Sequence, residues 1–83
     1  MLRRRWRKMD ANLVGKVIQR CREEKKQSQE LISGLAGIGR THLSAIERGQ
    51  RKPTLETFCC IAEAMNMKPS QLMAEIEKEN EKN

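Results

Sequence analysis

Apolar positions along this chain recur with the period of helices and nowhere with that of strands. Val14, Ile18 and Cys21 stand at i, i+4 and i+7 with Val17 beside them, which predicts a helix over residues 12–25 with one apolar stripe. Ile32 and Ala36, with the small Ser33 alongside, mark a second helix over 29–36. Ser28 is its N-cap, since a hydroxyl accepts from the free N–H groups of a first turn, and Gly37 supplies a left-handed ending. Leu43 and Ile46 mark a third helix over 40–48 that stops at Gly49, with Ala45 permitting close approach. Pro53 bars continuation and Thr54 caps a fourth helix that runs to residue 65. Leu55, Phe58, Cys59, Ile61, Ala62 and Met65 wrap most of its surface in apolar atoms, which predicts the central element of the fold. Asn66 suits a left-handed ending. A fifth helix starts near Pro69, carries Leu72, Met73 and Ile76, and is expected to fray in the polar tail KENEKN.

The pattern gives an all-α class with five helices, and composition narrows it. Eighty-three residues make one small domain with a thin core. With 37% hydrophobic but only 2% aromatic residues, that core has to be aliphatic. Domains of this size often gain stability by pairing. The division expected is a basic arm over residues 1–9, a helical domain over 10–76 and a polar tail over 77–83.

Three cysteines, Cys21, Cys59 and Cys60, form no C-x-x-C, and the single His completes no zinc pattern. Cys21 and at least one of the adjacent pair read as small buried hydrophobes; the odd count and the lack of a secretory signal point to the cytoplasm. No apolar run approaches the roughly 20 residues that span a membrane. There is no nucleophile–base constellation, metal set or phosphate loop, so neither enzyme activity nor a cofactor, metal or small-molecule ligand is expected.

Residues 28–53 are the richest stretch. Two short helices pinched around a tight turn and followed by a basic loop form a helix-turn-helix, which lays its second helix in the DNA major groove. The charge agrees with a polyanion partner. Residues 1–9 hold five basic side chains and no acidic one, residues 10–73 have three more basic than acidic, and the tail is acidic, within a net +6.

On the third helix Arg40, Thr41, Ser44 and Ala45 lie opposite Leu43 and Ile46, and they are the candidate base readers. Arg40 can donate two parallel bonds to guanine, and the Thr41 methyl suits thymine. Ser44 can bond several bases, and Ala45 can touch only a thymine methyl. His42 flanks this face and is assigned to the DNA backbone, as are Arg48, Gln50, Arg51 and Lys52 after the helix. Gln29, at the start of the second helix, can grip a phosphate through its amide and the free N–H groups there.

Residues 15–72 resemble the lambda-repressor-like, or XRE, family. The shared signals are GKVIQRCREEK, Ser28–Gln29, AGI at 36–38, LSAIERG at 43–49, the QRKP loop, LETFCCIAEAMNM and PSQLM. RTHLSAIERGQRK also looks like the controller proteins of restriction–modification systems, a short subclass. The resemblance implies a lambda-repressor-like fold, a phosphate contact at Gln29, and a partly buried Arg22–Glu47 ion pair that sets a helix angle. The family often pairs through its last helices, where Met65, Met67, Met73 and Ile76 are apolar positions left after the core is packed.

Three features depart from the family pattern: Leu31 and Leu35 stand at positions usually polar, Gly34 weakens the second helix, and Gly39 replaces the usual N-cap of the third. The function implied is a transcriptional regulator, a repressor or autoregulator, binding a near-palindromic operator on double-stranded DNA as a homodimer. An antitoxin-type interaction module is the other reading, with Leu31, Leu35 and the acidic tail as its partner surface. The opening MLRRRWRK reads either as a DNA-wrapping arm or as residues ahead of a natural start at Met9.

Overall fold

The computed structural model describes residues 10–82, so the expectations for the arm lie outside the described residues. Local chemistry sets its helix boundaries. Asp10, Ser28 and Thr54 each accept a main-chain N–H two or three residues ahead and so open α1 (Ala11–Glu24), α2 (Gln29–Ala36) and α4 (Leu55–Ala64). Gly39 offers no side-chain cap to α3 (Arg40–Glu47). Pro69, whose missing N–H is no loss in a first turn, opens α5 (Pro69–Lys82). No strand occurs among the described residues.

Four helices end alike. A residue with positive φ follows each of α1 to α4: Lys26, Gly37, Gly49 and Asn66. The N–H of the next residue reaches back to the carbonyl five residues earlier, as in Ile38 to Ser33 and Gln50 to Ala45, which satisfies otherwise orphaned carbonyls.

The helices pack as a ring in which α3 lies on α1, α1 on α5, α5 on α4, α4 on α2, and α2 back on α3. The ring encloses Ile18, Ile32, Leu43, Ile46, Ile61, Met65, Leu72 and Ile76, all without exposed surface, so the buried centre is aliphatic. Cys21 lies in this core, where burial pushes its thiol up and keeps it uncharged. Cys59 and Cys60 are half-buried.

Two expectations are corrected. The apolar cover expected over most of the fourth helix is not buried throughout: Leu55, its first residue, is 77% exposed at the edge of an apolar groove. The polar tail KENEKN, expected to fray, is helical as far as Lys82, where α5 ends. Ion pairs Glu75–Lys78 and Glu79–Lys82 one turn apart support this extension. Glu75 also meets Arg20 of α1 at 3.3 Å. Lys78 first and Arg20 second hold its carboxyl below the usual range, so this stabilisation is present at neutral pH and is lost as pH falls through that lowered value.

Gly34 lies mid-helix on the exposed face of α2 with nothing within 4 Å of where a Cβ would stand. Gly34→Ala should therefore raise stability by about 0.5–1 kcal/mol, by removing backbone freedom from the unfolded chain. Urea unfolding checks this; an unchanged or lowered midpoint would refute it.

Candidate nucleic-acid interface

The turn Gly37–Gly39 sets α3 against α2. It buries Leu43, Ile46 and Glu47 and turns the other side of α3 outward. Arg40 and Thr41 are exposed, and His42, Ser44 and Ala45 half-exposed, so one face holds every candidate base reader. Arg48, Gln50, Arg51 and Lys52 follow as an exposed run. Arg48 Nε also donates to the Ser44 carbonyl at 3.3 Å, closing the last turn of α3. Gly39 leaves the first N–H groups of α3 without a side-chain partner, and the first turn of α2 opens at Ser28 beside Gln29.

Behind this face lies a buried ion pair. Arg22 Nε and Nη2 donate to the two carboxylate oxygens of Glu47 at 2.7 and 2.9 Å, a paired fork that joins α1 to α3. The side chain of Glu47 is 1% exposed. Arg22 Nη1 also donates to the Gln27 carbonyl at 2.7 Å, so the guanidinium pins the end of α1 as well. The hydrogen bond to Glu47 holds the arginine above its ordinary pKa, so it stays charged at any working pH.

Gln29 has a partner that its spacing did not suggest. Its Nε2 donates to Glu47 Oε1 at 2.9 Å, and its Oε1 accepts from Arg40 Nη1 at 3.5 Å. The side chains of α1, α2 and α3 thus meet in one line from Arg22 to Arg40. Two close approaches, at Gly15 and Gly49, escaped the sequence reading, which took Gly49 only as a helix end. A Cβ on Gly15 would overlap the Ile46 carbonyl oxygen and stand 2.8 Å from that of Glu47, so this glycine lets α1 touch the end of α3. Gly49 combines positive φ with close contact to Asn12. A glycine beside Val14 on a buried helix face was the signal available for the first.

Of the residues assigned to pairing, Met65 and Ile76 have no exposed surface. Their expected role is corrected: both side chains are consumed by the chain's own core, Ile76 sharing a face of α5 with Leu72. Met67 and Met73 are half-buried at the core's edge. Met73 borders an apolar groove with Val14, Pro53, Leu55 and Phe58. Leu31 and Leu35 are 47% and 63% exposed.

A buried helix-turn-helix scaffold with a polar and basic outer face defines a class of protein. Residues 18–72 match the family described as "Helix-turn-helix", and the chain belongs to it: it is a transcriptional regulator with a helix-turn-helix DNA-binding domain. The chain is 36% identical over 61 residues to an uncharacterized HTH-type transcriptional regulator, y4dJ, of Sinorhizobium fredii, covering 74% of this chain and 79% of that one. The crystal structure of the restriction–modification controller protein C.AhdI from Aeromonas hydrophila is 32% identical, with a TM-score of 0.73 over 76% of this chain and 96% of that one. The controller protein C.Esp1396I, solved as a tetramer in complex with its natural 35 base-pair operator, is 26% identical, with a TM-score of 0.81 over 88% of this chain and 96% of that one. No helix among the described residues is long and apolar enough to cross a membrane.

Proposed function

We propose that this chain binds a near-palindromic operator as a homodimer in the cytoplasm and represses transcription there, its own gene among the targets. The observation that carries the reading is the outer face of α3: Arg40, Thr41, Ser44 and Ala45 stand clear of the core with a basic run beside them. One such helix reads only a few base pairs, so specificity calls for two copies about one DNA turn, roughly 34 Å, apart. Met67, Met73 and the groove at Leu55 supply apolar surface for that second copy, and the operator-bound relative is an oligomer.

Binding of the purified protein to DNA upstream of its own gene, against random DNA and across a salt series, tests this. The upstream DNA should be preferred at moderate salt with two chains per duplex. Arg40→Ala should lose about 5- to 150-fold of that preference, the equivalent of ~1–3 kcal/mol. Equal, steeply salt-dependent binding to both DNAs would refute self-regulation. The exposed Leu31 and Leu35 would then favour the antitoxin reading, in which a protein partner covers α2.

A further inference from the structure

We infer that Trp6, ahead of α1, seats in the apolar groove between α1, α4 and α5 of its own chain, and there competes with a second copy. The competition rests on the reading that this groove helps to join two copies; the seating does not.

The groove has the size and lining for one apolar side chain. Leu55, Phe58, Met73 and Ile76 line it with Val14 of α1, and Lys52 is the one charged residue among them. Its volume is about 250 Å³, below the roughly 300–1,000 Å³ of small-molecule pockets, which suits a side chain better than a free ligand. The chain enters the fold beside it. The Asp10 carbonyl accepts from the Val14 N–H at 3.0 Å, so Asp10 lies one helical turn, about 5.4 Å, from the groove wall. Trp6 precedes Asp10 by four residues, which reach about 13 Å when extended. Residues 1–9 lie outside the described residues, and their sequence supplies the occupant's chemistry. Trp6 is the chain's only tryptophan, and Arg3, Arg4, Arg5, Arg7 and Lys8 surround it. Exposed carboxylates at Glu56, next to Leu55, and at Glu77, one turn on from Met73, offer those cations partners outside the groove. A tryptophan there covers apolar atoms while its N–H stays near water. So short a tether gives an effective concentration of about millimolar, which a second copy has to outcompete. Pairing, and with it operator binding, then begins at a higher protein concentration than the bare groove would set.

Fluorescence of the full chain tests the seating directly, because Trp6 is the sole indole. In dilute protein its emission should be blue-shifted from that of free tryptophan, and acrylamide should quench it more slowly, equally at every dilution. Leu55→Gln should return both readings to those of free tryptophan. Leu55 is mostly exposed, so this change leaves the fold intact. Leu35→Gln, at an exposed leucine away from the groove, should change neither reading. Sedimentation equilibrium then measures pairing. An arm that fills the groove about nine-tenths of the time weakens pairing about tenfold, so Trp6→Ala should lower the dimer dissociation constant by that factor.

A Trp6 that acrylamide quenches as fast as free tryptophan in the dilute parent would overturn the inference. So would shielding that appears only as the protein is concentrated, since that places Trp6 against a partner. Shielding that survives Leu55→Gln but is lost on unfolding would put Trp6 elsewhere on the fold, and this groove would be the wrong site. A shielded, Leu55-dependent Trp6 whose removal leaves the dissociation constant unchanged would uphold the seating and refute the competition. That last outcome would count against the groove as a pairing surface, separately from the contact itself.

Discussion

Gly15→Ala should be among the most damaging single-methyl additions this domain can receive. The new Cβ would overlap main-chain oxygens of Ile46 and Glu47, which belong to a helix and cannot rotate away as a side chain does. Overfilling a packed contact costs about 1–3 kcal/mol, more where backbone must shift. A domain of this size has a total stability of only about 4–12 kcal/mol. The melting temperature should drop by about 10 °C or more, at roughly 4–8 °C per kcal/mol. Because the clash pushes at the end of α3, the folded fraction should also bind DNA less well. Circular dichroism melts and DNA titration at low temperature read both effects. A melting point within about 2 °C of the parent would show that α1 and α3 can separate at little cost, contrary to the packing described.

The second large effect is at Glu47. Glu47→Ala leaves Arg22, 8% exposed, facing a hole with only the Gln27 carbonyl and the exposed Glu23 carboxylate, 3.8 Å off, as partners, and it frees the Gln29 amide as well. Breaking a buried pair from one side typically costs about 3–5 kcal/mol, because the remaining charge is stranded. Replacing both members by similar-sized apolar groups, Arg22→Met with Glu47→Met, should cost clearly less than the two single losses together. Urea unfolding of the parent, Arg22→Met, Glu47→Met and the double variant closes the cycle, with Glu47→Ala measured beside it. The arginine's raised pKa adds no pH dependence near neutrality: its contribution is complete below the ordinary arginine value and is lost only above it. Additive losses, or a Glu47→Ala cost under about 1 kcal/mol, would refute the coupling.

Much of the fold was legible because short-range chemistry wrote it. Ser28, Thr54, Gly37, Gly49 and Asn66 mark helix ends by residue type, and the stripes of α1 to α4 follow from spacing. Lys26 was not legible: it takes positive φ where nothing in a lysine advertises it. The polar tail hid a helix because its support comes from charge pairs rather than an apolar stripe. Met65 and Ile76 could not be assigned to core or surface, since an apolar position says only that it is covered, not by which chain. The outer face of α3 was readable from Leu43 and Ile46, which define its opposite. The bond from Gln29 to Glu47 spans 18 positions and depends on how α2 and α3 cross, which no local pattern encodes.

Every described residue proposed to face DNA lies within residues 28–53, yet that stretch should not serve as a portable reading module. Its two helices are held through α1 on one side and α4 on the other, and α5 packs against both of those. Cut anywhere, the circle opens and its aliphatic centre meets water. The smallest piece of this protein expected to keep the proposed reading face in place is therefore the five-helix unit itself, and a shortened α5 should be felt at the far side, on the outer face of α3.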